Sequence, residues 1–436
     1  MAAPVAVAVA GPAPVLRRSS GRLAAHAALA GLCVVYILIA ALSADPGADV
    51  VLARVGGTPG WLLGPLRPFG IAGFDGPVLY AALWVALVLY GVVVWRASDV
   101  TARTVAWAVV GLHVVFLLAP PLLSQDVFSY IAYARLGAEH GLDPYTHAPF
   151  AIQGDPVFGF AGSKGAVSVY GPLFTLPTYA LAPLGVAGAF WVLKLVAAAA
   201  SLGVVALVWR CAERLGRDPR GPALLVGLSP LVLVHVVSAA HNEALVLLLT
   251  MAGVYAFVCG RPFAAGAWST AAAGIKASAA LVVPYLLLGS RRLPRGILGA
   301  VAAGAGLLVL GLVGFGTNVF ESFSLLSSNQ GRSSRLSFPY LIAKLLGVDR
   351  DPVRAAFALA FALVAAGTLW RTWHGADPIR MAGWATLAIL VCSAWLVPWY
   401  LLWLLPLAAL AFDRRLTVAT FALSGWVLAI AVPGVY

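Results

Sequence analysis

Charge is scarce in this sequence. Only 10% of the 436 residues are Asp, Glu, Lys or Arg, while 62% are hydrophobic. A soluble domain carries about a quarter charged residues, so this chain cannot coat a water-facing surface, which excludes an ordinary soluble globule. Cysteine is scarce too. Cys33, Cys211, Cys259 and Cys392 contain no CxxC pair, which argues against a zinc site or a structural disulfide and for small core residues. No internal repeat is visible, which disfavours a transporter built from duplicated halves.

What the chain does have is apolar length. Runs of about 20 residues, the span of a membrane helix, occur at 24–42, 77–95, 104–123, 186–209, 221–239, 242–260, 296–315, 354–370, 380–397 and 416–433. Shorter runs lie at 262–276, 278–290 and 399–412. The expected fold class is an all-α polytopic membrane protein with about 11–13 transmembrane helices and interfacial helices in the outer loops. Residues 1–23 read as a disordered cytoplasmic tail without a cleavable signal, and 24–436 as one integral-membrane domain.

Basic residues orient the spans, because short cytoplasmic loops collect Lys and Arg. With the N-terminus inside, 17 of the 28 basic residues fall on the cytoplasmic side and 11 of the 16 acids fall outside. The formal charge of +12 then reflects topology and lipid contact and gives no argument for nucleic acid. Three outer segments are long, 43–76, 124–185 and 316–353, so function is expected on the outer face of the cytoplasmic membrane.

The richest segment is Ser124 to Arg135, where a carboxylate stands at the point a span leaves the bilayer. A helix over 126–135 would place Asp126, Ser129, Tyr130 and Tyr133 on one face and Phe128, Ile131 and Arg135 on the other. That pattern predicts an amphipathic helix at the interface, with Asp126 a catalytic carboxylate, an N-cap or both. Asp143 reads as a turn former or a second acid. Tyr145 and Tyr170 could stack on a sugar or anchor the loop. His241, Asn242 and Glu243 stand at a span boundary, as substrate contacts or as a helix start favoured by the dipole. His241 and Glu243 should diverge on a helix, so a metal site there is weakly supported. Lys276 needs an anionic partner, a lipid phosphate or a carboxylate. Arg332 and Arg335 suit phosphate geometry. The Trp395–Tyr400 aromatics read as interface anchors.

One outer carboxylate, nearby cations and no nucleotide-binding glycine loop fit transfer of a sugar from a polyprenyl phosphate. The leaving phosphate needs no proton. The acceptor hydroxyl needs a general base, and Arg or Lys stabilises the departing charge.

The run 125–135, with 141–149 and Tyr170-Gly171-Pro172, resembles the actinobacterial polyprenol-phosphate-mannose-dependent α-(1→6)-mannosyltransferases of the GT-C superfamily, which build the mannan core of lipomannan and lipoarabinomannan. His241-Asn242-Glu243, Lys276 and Trp395–Tyr400 follow in the order such proteins show. The resemblance implies inverting transfer from a β-mannosyl phosphopolyprenol to a mannan or glycolipid acceptor, with Asp126 as base. Gln125 stands where an adjacent second acid might be, so either Asp143 completes a pair or Asp126 acts alone. The implied substrate contacts are Tyr130, Tyr133, Asp143, Tyr145, Tyr170, His241, Asn242 and Glu243, with Lys276, Arg332 and Arg335 on the lipid phosphate. No metal or other cofactor is expected; dependence on a divalent cation is the less favoured alternative. Transfer of arabinose or glucose, or a lipid-linked saccharide flippase, are the competing functions.

Overall fold

In a computed structural model the protein is described over residues 15–52, 57–73, 75–321 and 333–430, with side chains described over 21–429 of these. Every regular element among the described residues is helical. The helices used below are α1 (Val15–Ser43), α2 (Gly76–Trp95), α3 (Ala102–Leu118), α4 (Asp126–Ala138), α5 (Gly185–Arg214), α6 (Arg220–Gly227), α7 (Glu243–Val258), α8 (Pro262–Ala273), α9 (Leu293–Phe315), α10 (Arg350–Trp373), α11 (Pro378–Cys392) and α12 (Arg414–Ile430).

Five helical runs are long and apolar enough to cross a membrane: Gly21–Ser43, Gly76–Trp95, Pro172–Arg214, Leu293–Phe320 and Arg350–Trp373. A bent pair, α6 with the π-helical turn Val232–Ser238, makes a sixth if it is one span. Five shorter apolar segments accompany them: Ala102–Leu118, Glu243–Val258, Ala277–Leu288, Pro378–Cys392 and Pro398–Ala411. The chain is thus an all-α polytopic membrane protein.

The boundaries differ from expectation for local reasons. α1 begins at Val15, inside the segment expected to be a tail, while residues 1–14 lie outside the described residues. The expected span 104–123 ends at Leu118, because Pro120 and Pro121 cannot continue the helix. The expected span 221–239 bends by 60° around Pro230, as helices do at proline. The run expected at 186–209 starts earlier, since turns from Pro172 lead straight into α5.

A single large apolar core joins these elements. Tyrosine hydroxyls inside it donate to backbone carbonyls that helix geometry leaves unpaired near α6. Tyr36 Oη reaches Leu228 O at 2.7 Å, and Tyr90 Oη bonds Leu225 O. His113 on α3 pairs across to Ser201 on α5 at 2.9 Å. In contrast, α10 and α9 keep most of their apolar surface on the outside of the bundle, as lipid-facing helices do.

α8 and α9 approach closely because small residues line their contact. A Cβ on Gly299 would stand 2.0 Å from the Phe263 carbonyl oxygen, and one on Gly266 would stand 2.1 Å from that of Gly296. Gly299→Ala is therefore expected to push the helices apart and destabilise by about 1–3 kcal/mol. A lowered thermal midpoint in detergent checks this, and an unchanged midpoint would contradict the packing argument.

Candidate active site

Three chain segments that are far apart in sequence meet at one end of the bundle: 123–126, 240–243 and 274–276. The first two enter the site through an unusual piece of backbone. Leu123 has φ 58° and Ala240 has φ 56°, left-handed values that cost a residue with a Cβ about 1–3 kcal/mol. The π-helical turn Val232–Ser238 ends two residues before Ala240, and such turns often accompany functional sites.

The turn before Asp126 is held at three points. Lys194, fully buried on α5, donates its Nζ to the Ala119 carbonyl. Ser238 Oγ donates to Pro120 O at 2.6 Å, and the Leu123 amide donates to Val50 O at 3.2 Å. Lys194 thus satisfies a carbonyl at the broken end of α3, and the turn is fixed before α4 begins.

Asp126 is the first residue of α4. The N-cap position belongs to Gln125, whose side chain donates to Leu52 O at 2.8 Å instead of capping. The capping role considered for Asp126 is therefore not the one it has. Its amide donates to Ser124 Oγ at 3.2 Å, and Ser124 Oγ lies 2.8 Å from His241 Nε2. The other ring nitrogen, Nδ1, sits 3.7 Å from Asp126 Oδ2 and 3.3 Å from Glu243 Oε2. Neither approach is a hydrogen bond, and both His241 Nδ1 and Glu243 Oε2 are buried without one. Lys276 Nζ bonds the other Glu243 oxygen in an ion pair.

These groups differ in access, and that decides their roles. His241 and Glu243 side chains are 0% exposed, Lys276 is 15% exposed and Asp126 is 29% exposed. Only Asp126 and Lys276 present charge to an incoming molecule; His241 and Glu243 stand behind them. Burial pushes the Asp126 carboxyl above the usual aspartate range. His241 and Lys276 pull it back and Glu243 pushes it further up, with a net rise.

Aromatic rings wall the cluster. The His241 ring lies 4.4 Å from that of Trp399. Lys276 Nζ sits 5.0 Å from the Tyr400 ring, 5.7 Å from Trp403 and 5.9 Å from Tyr170, within cation–π reach. Tyr130 meets Tyr170 edge-on at 4.9 Å, and its hydroxyl donates to Asn242 Oδ1 at 3.4 Å. The Gly171 amide donates to Ile275 O at 2.9 Å and that of Leu173 to Gly274 O at 3.1 Å. A Cβ on Gly171 would stand 2.2 Å from Gly274 O, so only glycine lets these backbones approach.

Several expectations change here. α4 is a helix but not an interfacial amphipathic one: residues from Val127 to Ala134 are buried on every face. Phe128 stacks between Phe160 at 5.3 Å and Phe190 at 5.5 Å. Arg135 Nε reaches Asp155 at 2.9 Å. His241 and Glu243 converge instead of diverging, because His241 precedes the helix and Ala240 turns it back. The partner of Lys276 is a carboxylate, that of Glu243. The second acid brought toward Asp126 is Glu243, not Asp143. Asp143 Oδ1 accepts from the Tyr145 amide at 2.8 Å, and Oδ2 accepts from Asn318 at 3.0 Å, which is the turn role considered for it. Tyr145 is buried with Phe315, and its hydroxyl donates to Tyr170 O at 2.7 Å, so it braces the loop. Tyr133 donates to Ala166 O at 3.0 Å and does likewise. Arg335 is exposed on a segment that runs beside 394–396; Arg332 lies outside the described residues. Ser124, Trp399, Tyr400 and Trp403 join the site, Trp399 and Tyr400 in place of the interface anchoring read for 395–400.

Fold and site together define a multi-pass membrane protein whose partly exposed acid stands beside a half-buried lysine and in front of a buried histidine and glutamate. The chain belongs to the alpha-(1->6)-mannopyranosyltransferase family: the family's N-terminal domain matches residues 29–291, and the MptB C-terminal domain matches residues 344–434. Among relatives, alpha-(1->6)-mannopyranosyltransferase A of Mycobacterium tuberculosis is 28% identical over 385 residues, 78% of this chain and 70% of that protein. A probable alpha-(1->6)-mannopyranosyltransferase of Mycolicibacterium smegmatis is 33% identical over 190 residues, 41% of this chain and 32% of its own length. Alpha-(1->6)-mannopyranosyltransferase A of Corynebacterium glutamicum is 27% identical over 186 residues, covering 40% and 36%. No solved structure matches.

Breaking a buried ion pair strands a charge, at about 3–5 kcal/mol. Glu243→Leu and Lys276→Met are each expected to lower stability by about that much, whereas the two combined recover a large part of it. Thermal unfolding of the single and double variants in detergent measures the coupling; additive losses would contradict the pairing.

Proposed function

We propose that the protein transfers mannose from polyprenyl-phosphate mannose to an α-mannan or lipomannan-type acceptor, with inversion and formation of an α-(1→6) linkage, at the outer face of the cytoplasmic membrane. The observation that carries this reading is the partly exposed Asp126 carboxylate beside Lys276, with His241 and Glu243 buried behind them, in a chain of this family.

Asp126 removes the proton from the acceptor hydroxyl. The acceptor oxygen attacks the anomeric carbon from the face opposite the phosphate. The new C–O bond forms as the bond to phosphate breaks, and the phosphate leaves with the electron pair. Lys276 offers its exposed side to that anion while Glu243 holds its other side. His241 and Ser124 fix the start of α4, so that the carboxylate meets the hydroxyl with little reorganisation. The aromatic wall of Tyr130, Tyr170 and Tyr400 suits a sugar face. Lys276 supplies the positive charge in this scheme, and no metal takes part in it.

Positive charge also orients the reading. The Arg-rich short loops lie opposite the end that carries Asp126 when the positive-inside rule is applied, which supports an outer-face site and a cytoplasmic N-terminus.

Mannose transfer from labelled polyprenyl-phosphate mannose to a short α-mannoside tests the proposal. Asp126→Asn keeps the shape and removes the base, and is expected to cost about 10²- to 10⁴-fold in rate. Equal rates would remove Asp126 as base, and no transfer by the wild type would sink the donor assignment. A base must be deprotonated to act, so the rate should fall as pH drops through the Asp126 pKa. Because burial raises that pKa, the acid limb of kcat/KM is expected above the ordinary aspartate value of about 3.9, and it should disappear in Asp126→Asn. EDTA is expected to leave transfer unchanged; loss restored by a divalent cation would bring a metal into the site.

A further inference from the structure

An open cleft of about 470 Å³ lies at the other end of α4 from Asp126, lined by Arg135, Glu139, His140, Gln153 and Asp155. Its volume is within the range of about 300–1,000 Å³ typical of small-molecule sites. Arg135 is nine residues beyond Asp126. That spacing is about 13 Å along a helix and two and a half turns, so the cleft is on the opposite face of α4 from the acid. It is a separate place on the same loop segment.

Its floor is built and rigid. Asp155 is 1% exposed, and each of its oxygens has two donors. Oδ1 accepts from Arg135 Nε at 2.9 Å and from the Val157 amide at 2.9 Å. Oδ2 accepts from Arg135 Nε at 3.0 Å and pairs with His140 Nε2 at 2.9 Å. Arg135 also donates through Nη1 to Ala182 O at 3.2 Å. Burial alone would raise the Asp155 pKa, but the bonds from Arg135, His140 and Val157 outweigh it and hold the carboxyl below its usual range.

The rim has the opposite character. Glu139, His140 and Gln153 are exposed and belong to no part of the proposed reaction. Together they offer donors and acceptors side by side. The charges nearly cancel, since Arg135 is matched by Asp155 and Glu139 remains. A phosphate or a lipid headgroup would face the unmatched Glu139 carboxylate here, with Arg135 already paired to Asp155. A neutral polyhydroxylated molecule would not, and its hydroxyls need both kinds of partner at once.

We propose that this cleft is a remote glycan subsite, which holds a part of the acceptor chain distant from the reacting hydroxyl. The proposal rests on the mannosyl-transfer reading above. A glycan long enough to reach both places gains affinity from the second contact by effective concentration, while a disaccharide at Asp126 does not.

The test uses full-length protein in detergent, with the double variant Glu139→Ala, Gln153→Ala, whose exposed positions leave the Asp155 floor intact. The acceptors are α-(1→6)-mannobiose and α-(1→6)-mannohexaose. Removing two hydrogen-bonding side chains is expected to raise KM for the hexaose about five- to tenfold. The KM for the biose and kcat for both should stay the same. Equal effects on both acceptors, or none on either, would overturn the subsite. A parallel titration of mannohexaose binding without donor separates the two readings. If the wild type transfers to nothing but binds the hexaose more tightly than the variant does, the transfer proposal fails and the subsite stands. Equal binding by both proteins removes the subsite whatever the activity.

Discussion

Glu243 is a carboxylate with no exposure, held inside an apolar helix bundle, and the arrangement of the site follows from the need to satisfy it. An isolated charge in such surroundings is prohibitively costly. Lys276 answers one oxygen and the His241 ring stands beside the other. That requirement draws together the ends of three segments: the α7 start, the break before Ala277 and, through Ser124, the start of α4. The strained backbone at Leu123 and Ala240 is the local cost of that convergence. Asp126 benefits without being buried as deeply. It is the one acid of the cluster that is partly exposed, with its charge tuned by His241, Glu243 and Lys276 around it.

A good deal of this was legible in the sequence. The composition gave the membrane class, and the apolar runs gave most helices within a few residues. Asp126 stood out because a carboxylate at the end of a span is expensive unless used. Asn242, Glu243 and Lys276 stood out for the same reason. What could not be read was which of these would meet. Helix periodicity says that adjacent residues diverge, and it was the left-handed turn at Ala240 that brought His241 against Glu243. Periodicity also gave α4 a polar face and suggested an interfacial position. It does not report the rings that other segments bring to bury it, such as Phe160 and Phe190 against Phe128. The Trp395–Tyr400 aromatics read as interface anchors because tryptophan at a span end usually is one. Their place around His241 and Lys276 depends on a fold-level contact with no local signature.

On the proposed reading, the two ends of α4 divide the work of the loop segment 124–185. Its N-terminal end carries the acid and is pinned by Lys194, Ser238 and Val50. Its C-terminal end carries Arg135 over a fixed Asp155 floor. A rigid, buried helix between them keeps the two ends at a constant distance. That suits an enzyme acting on a chain, in which one unit reacts while others are held.

The most direct measurement is a structure of the protein with a non-hydrolysable phosphonate analogue of polyprenyl-phosphate mannose. The account predicts that the phosphonate lies within hydrogen-bonding reach of Lys276, with the anomeric carbon turned so that Asp126 is on the face opposite the phosphonate. A donor bound with its phosphonate away from Lys276, or with Asp126 on the same face as the leaving group, would contradict it.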